Sequence, residues 1–339
     1  MSRPIGTPVT AELVRGALEL EPTAVGVRPH RLPAWALAQA DRDPQLSMAE
    51  SQPAGVRIVF ATTATSVELT ALATRYGFRG APARPPGSFD LVLDGRLVAG
   101  ATLRRPTMIT IDPSTGAAET VPGEPESLVF DDLPAGEKVV EIWLPHNESV
   151  ELGQLRTDRP VAPVRTGRPV WLHHGSSISH GSNAARPTGT WPVIASLAGG
   201  VDLINLGFGG SALLDPFTAR TIRDTAADLI SLKLGVNLVN ADLMRLRALG
   251  PAVHGFLDTI RDGHPDVPLL VVSPIHCGIH EDTPGPGAFD PAALARGEIR
   301  FVATGDPAER AAGKLTLSVI RERLARIVAQ RAVEDDNLH

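Results

Sequence analysis

Residues 169–181 read Pro-Val-Trp-Leu-His-His-Gly-Ser-Ser-Ile-Ser-His-Gly, an apolar run that stops at a glycine–serine turn. Pro169 to Leu172 have the character of a short buried strand. A strand ending in Gly175-Ser176-Ser177 places a hydroxyl at its carboxyl end, where α/β sheets keep their ligand crevices. A serine there is a nucleophile when a base reaches it and donors await an oxyanion. It serves equally well as a helix cap. The rest of the chain has to decide between these roles.

Beyond residue 168 the pattern is strand, helix, strand. Thr190 with Pro192 in the next turn signals the start of a helix over 190–198. Residues 202–206 and 229–234 read as the second and third strands, with a helix between them over 215–228. Val253, Phe256, Leu257 and Ile260 recur at helical spacing over 251–261, and residues 268–273 form the fourth strand. Residues 280–307 read as a long Pro- and Gly-rich loop of the kind that forms a lid or pocket wall. A last helix is expected over 308–333. This alternation implies a parallel sheet with helices on both faces.

Before residue 160 the grammar is different. Residues 56–60, 66–71, 89–93, 96–99, 108–111, 127–130 and 138–145 are apolar runs with period-two alternation and turns between them. Asp94-Gly95 joins two of these runs as a hairpin. Such spacing reads as an antiparallel sandwich. Pro160 to Gly167 is expected to be a linker, and His30 sits in loop chemistry between Pro29 and Pro33. The division expected is a sandwich over 1–162 and an α/β unit over 168–339.

The net charge of −6 and pI near 5.9 argue against nucleic acid or an anionic membrane as partner. Cys277 is the single cysteine, so an internal disulfide is excluded. No signal peptide or membrane span is read, which makes a cytoplasmic protein the expectation. His276, Cys277 and His280 lack the paired spacing of a zinc site, and no dinucleotide or Walker-type glycine loop occurs. No metal or cofactor is therefore expected.

Three turns carry the chemistry. Gly175-Ser176-Ser177-Ile178 follows the first parallel strand, Asn205-Leu206-Gly207-Phe208-Gly209-Gly210-Ser211 the second, and Leu234-Gly235-Val236-Asn237 the third. Ser177 can attack an acyl carbon. The N–H groups of Ser177 and Gly210 and the Asn237 amide can hold the oxyanion. In order and placement these turns resemble the first three sequence blocks of the SGNH (GDSL) hydrolase family. Ser177 stands at the catalytic serine, and Gly210 and Asn237 at the glycine and asparagine of the next blocks. The resemblance covers about residues 168–335. It implies a flavodoxin-like parallel sheet preceded by a jelly-roll sandwich, similar to two-domain actinobacterial members that include esterases and an acyltransferase. It also implies that the amino-terminal part is carbohydrate-module-like. Two positions depart from the family pattern: Ser176 replaces an aspartate before the nucleophile, and Leu238 replaces one after the asparagine.

The resemblance implies a base from an Asp-x-x-His block beyond a fifth strand. Asp336 and His339 have that spacing, but no fifth strand precedes them. One reading makes 337–339 the start of that strand, with the chain truncated before its catalytic block. The other makes His339 the base. His173, His174 and His180 lie too close to the turn to present a ring to Ser177 together with an orienting acid. His276 and His280 are better placed to line a pocket. The function expected is a serine esterase with an acyl-Ser177 intermediate, acting on a small and optionally glycosylated acyl ester. Acyl transfer to an alcohol is the close alternative, and an inactive carbohydrate-binding relative the distant one.

Overall fold

The computed structural model describes residues 4–41, 43–112, 115–298 and 300–339. The amino-terminal half runs β1 (Ile5–Pro8), β2 (Val14–Arg15), β3 (Glu19–Pro22), β4 (Val27–His30), α1 (Ala34–Gln39), α2 (Pro44–Ser51), β5 (Arg57–Thr62) and β6 (Val67–Phe78). It continues with β7 (Ser88–Leu93), β8 (Arg96–Thr102), β9 (Thr107–Ile111), β10 (Ala118–Val121), β11 (Glu126–Phe130), β12 (Lys138–Trp143), β13 (Ser149–Thr157) and β14 (Val161–Pro163). One sheet has the order β10-β9-β6-β13-β4-β3, with β1 beside β13 and β11 beside β6. The other has the order β14-β5-β12-β7-β8, with β2 beside β5.

Alternation builds this sandwich. Along β6, Val67, Leu69, Ala71 and Ala73 are buried while Glu68, Thr70, Leu72 and Thr74 are partly exposed. The buried set packs on Ile58, Phe60, Leu91 and Ile142 of the facing sheet. Asp94 and Gly95 both take positive φ, 47° and 80°, as the two-residue hairpin turn requires. Three features differ from the sequence reading. The β6–β9 pair is parallel. The stretch expected as a linker contributes β14, which pairs with β5. Residues 34–51, which gave no clear pattern, form α1 and α2.

The second half runs β15 (Val170–Gly175), α3 (Ser177–His180), α4 (Trp191–Gly199), β16 (Asp202–Gly207), α5 (Pro216–Asp224), β17 (Leu229–Lys233), α6 (Val236–Asn240), α7 (Leu246–Gly263) and β18 (Leu269–Val272). The hairpin β19 (Gly287–Phe289) and β20 (Phe301–Ala303), with α8 (Pro291–Leu294) between its strands, occupies the region expected as open loop. The last helix, α9 (Leu317–Arg331), is shorter than expected, because residues 307–312 form a separate 3-10 turn. The parallel strands lie in the order β16-β15-β17-β18. Residues 337–339 extend this sheet beside β18. His339 N–H donates to Leu269 O at 2.9 Å and Val271 N–H to His339 O at 2.7 Å, and Leu338 is buried. The resulting 2-1-3-4-5 order places the topological switch at β15, the strand that carries Ser177 at its end.

β15 is enclosed on both faces, which explains the apolar run that ends at Leu172 and the burial of His173 and His174 after it. Trp171 packs with Val193 and Leu203 on one face and with Val92 and Trp143 of the sandwich. Leu172 faces the main α/β core, which also takes in Leu32, Ala36, Leu46 and Ala49 from the amino-terminal half. Arg31 fixes this junction. Its fully buried guanidinium donates to the carbonyls of Asn205 (2.9 Å), Gly207 (2.6 Å) and Ala49. Replacing Arg31 with Met leaves those carbonyls without donors. We expect a loss of about 3–5 kcal/mol in the free energy of unfolding by urea; a loss below about 1 kcal/mol would contradict this role.

Candidate active site

The chain turns sharply where β15 meets α3. A Cβ on Gly175 would lie 2.2 Å from Ser179 Oγ, so only glycine fits as the strand gives way to the helix. Ser177 is the first residue of α3, and its N–H has no acceptor within the helix. Its Oγ has no hydrogen-bond partner among the described residues. Asn205 supports this turn from β16: Nδ2 donates to Ser179 O at 2.9 Å, and Oδ1 accepts from Gly207 N–H at 2.8 Å.

The turn after β16 lies against Ser177. A Cβ on Gly209 would sit 3.7 Å from Ser177 Cβ. The same loop then reaches Asn237 in the first turn of α6. Ala212 N–H donates to Asn237 Oδ1 at 3.1 Å. That bond assigns the buried amide, so Nδ2 is the donor left over. The structure thus brings Ser177, Gly210 and Asn237 together at the carboxyl edge of three adjacent strands, with the second loop bridging the other two.

The sequence of residues 168–280 matches the GDSL-like lipase/acylhydrolase family. These residues carry the sequence features of a GDSL-like lipase/acylhydrolase domain. The salicylyl-acyltransferase SsfX3 from a tetracycline biosynthetic pathway is similar over 99% of this chain and 84% of its own, with 26% identity and a TM-score of 0.80. A protein described as a GDSL-like lipase, from Bacteroides ovatus, shares the fold at 18% identity and a TM-score of 0.66, over 99% of this chain and 86% of its own. A family two carbohydrate esterase from Cellvibrio japonicus shares it at 12% identity and 0.57, over 100% of this chain and 88% of its own. No curated protein matches this sequence.

Within the GDSL domain the two departures from the family pattern are enclosed. Ser176 is buried and its Oγ has no partner among the described residues. Leu238 lies in the apolar core. Both positions take neutral side chains where a carboxylate would have to be desolvated. A groove of about 310 Å³ opens beside Ser177, lined by Ile178, Ser182, Asn183, Ala184 and Trp191 among others. A larger cavity, about 810 Å³, lies between α2 and the sandwich sheet; Ser177 is not among its lining residues.

None of the ten histidines meets Ser177 Oγ, and most are committed elsewhere. His173 is held between Ser231 Oγ (2.7 Å) and Ser179 Oγ (2.8 Å). His174 bonds Leu206 O at 2.8 Å. His180 lies between Arg31 and His146 O. His30 bridges Glu50 (2.8 Å) and Glu21 (3.1 Å). Burial opposes its charge, but the two carboxylates outweigh that and raise its pKa. His276 is exposed, 4.0 Å from Glu281, and His280 bonds Thr283 O. Among the described residues, no group of three or more His, Cys, Asp or Glu side chains could hold a metal, and no helix is long and apolar enough to cross a membrane.

His339 does not join the site. It pairs on the far side of β18, three strand spacings or roughly 14 Å from β15. Two residues that support the site gave no functional signal in the sequence: Arg31, and Gln45, whose Nε2 donates to Gly209 O at 2.7 Å. Thr190 takes the expected N-cap position of α4, but its Oγ1 donates to Pro187 O instead of capping.

Burial pushes His173 down to about 3, helped by the neighbouring His174 and Lys233. It pushes His146 and His174 down to about 4, and lowers His180 well below its ordinary value. Between about pH 6.5 and 4 the unfolded chain therefore binds protons that the folded chain excludes. The stability that these four rings contribute is complete above about pH 7 and is lost as pH falls through that window. The urea midpoint should drop markedly from pH 7 to pH 4.5. A flat profile would contradict the neutral, buried state of these rings.

Proposed function

We propose that the protein is a serine acyl hydrolase that works through an acyl-Ser177 intermediate. Ser177 Oγ attacks the acyl carbonyl and gives up its proton to a base. The carbonyl oxygen becomes an oxyanion, held by Ser177 N–H, Gly210 N–H and Asn237 Nδ2. Collapse expels the alcohol, which takes a proton, and water then releases the acyl group. The observation that carries this reading is the pinned Asn237 amide, whose Nδ2, like the N–H groups of Ser177 and Gly210, has no acceptor among the described residues. In this reading residues 168–339 perform the chemistry, and residues 1–162 support it through Arg31, Gln45 and Asp90, the last bonded to Thr188.

The substrate proposed is a small acyl ester, since a groove of about 310 Å³ with Ile178 and Trp191 in its wall fits a short or aromatic acyl group. Transfer to an alcohol in place of water is the second reading. It is favoured by the likeness to a salicylyl-acyltransferase along nearly the whole chain.

Hydrolysis of p-nitrophenyl esters tests the proposal. Asn237→Ala should lower kcat by about 10²–10³ with little change in KM; an unchanged kcat would remove Asn237 from the oxyanion site. Because no imidazole meets Ser177 Oγ, added imidazole should accelerate turnover by the parent chain and not by Ser177→Ala. Equal acceleration of both would count against Ser177 as nucleophile. Ester products formed with added alcohol would favour transfer, and acid products alone would favour hydrolysis.

A further inference from the structure

The Gly209–Gly210 peptide has no stereochemistry of its own to hold it. Phe208–Ser211 closes a turn in which Ser211 N–H donates to Phe208 O at 3.1 Å, and Gly210 has φ +79°. These are features of a type II turn. Type I differs mainly by a flip of the central peptide, and glycine at both central positions admits either form. That flip reverses the Gly210 N–H. An oxyanion donor on this peptide therefore needs a tether from outside the turn.

Gln45, in the first turn of α2, supplies one. Its Nε2 donates to Gly209 O at 2.7 Å. Its side chain also covers the peptide: a Cβ on Gly210 would lie 3.1–3.3 Å from Gln45 Nε2, Cγ and Cδ. The C=O and N–H of a trans peptide point in opposite directions. With Gly209 O tied to Gln45, Gly210 N–H is directed away from α2, and it has no acceptor among the described residues. The tether is itself anchored. Asp43 Oδ1 accepts from Gln45 N–H at 2.8 Å and from Leu46 N–H at 3.2 Å. Leu46 and Ala49 are buried in the α/β core, and Ala49 O receives Arg31.

We propose that Gln45 is a positioning residue for acyl transfer, holding the Gly209–Gly210 peptide so that Gly210 N–H faces the oxyanion. The proposal rests on the assignment of Ser177, Gly210 and Asn237 above. It places a determinant of the transition state in the amino-terminal half of the chain, some 160 residues from the donor it orients.

The test uses the full chain as parent, Gln45→Ala, Gln45→Glu and Ser177→Ala, with p-nitrophenyl acetate between pH 5 and 9. Gln45→Ala should lower kcat by about tenfold, the worth of one such hydrogen bond, with KM within about twofold and the thermal midpoint little changed. Gln45→Glu should be equally slow at pH 8, where a carboxylate cannot donate. Relative to the parent at the same pH, it should recover as the carboxyl protonates and donates to Gly209 O. Burial and the nearby charge of Asp43 push Asp215 up to about 6, inside this range, so the parent is measured at every pH. In Gln45→Glu the Gly210 amide ¹⁵N shift should titrate with that carboxyl, a readout independent of turnover. Parent-like kcat in Gln45→Ala, a pH-independent deficit in Gln45→Glu, or a Gly210 shift that does not titrate would each overturn the proposal. Full turnover by Ser177→Ala would instead overturn the nucleophile assignment.

Discussion

The enclosed guanidinium of Arg31 is the contact on which the geometry of the site depends. Burial lowers its pKa to about 9, so it remains charged at neutral pH, and the charge of Glu50 works against the lowering. It is satisfied by carbonyls from α2 and from the end of β16, and it meets His180 of α3 at 3.3 Å. A buried charge with so many partners tolerates little movement, because each lost bond leaves a desolvated polar group. Three elements distant in sequence therefore behave as one body. That body carries Ser177 on α3, the glycine turn beyond β16, and Gln45 on α2.

Acyl transfer gains from such rigidity. An oxyanion hole works when its donors are already aimed where charge will develop, so that nothing reorganises during the reaction. Each of the three donors proposed for the oxyanion is held by a bond of a different kind. Ser177 N–H is fixed by the strand-to-helix turn that Gly175 permits. Asn237 Nδ2 is fixed because Ala212 N–H occupies the other end of the amide. Gly210 N–H is the least constrained by its own chain, and there the amino-terminal half intervenes. The histidines beside Ser177 are spent on structure: their rings are buried and neutral, and they tie β15, α3 and the sandwich together.

Much of this was legible in the sequence. The strand-end turns and their order came directly from residues 175–178, 205–211 and 234–237, since local apolar runs and glycines report local geometry. The Asp94-Gly95 hairpin was readable for the same reason. What was not legible depends on distant partners. β14 looked like a linker because its pairing with β5 lies about a hundred residues away in sequence. α2 carried a start signal in Asp43-Pro44, but its short, weakly amphipathic run gave no period to confirm it. Arg31 lay beside His30 between two prolines. Nothing local distinguishes a rivet to Asn205 and Gly207 from an ordinary loop arginine. The placement of His339 also needed three dimensions, because only the pairing with β18 separates it from Ser177.

The most direct test of the account is covalent capture of the nucleophile. The 339-residue chain would be treated with a fluorophosphonate, digested and mapped by mass spectrometry, with imidazole present as external base. A single phosphonylated site is expected at Ser177, in the peptide spanning the β15–α3 turn. Modification centred on any other residue, or none when imidazole is supplied, would contradict it.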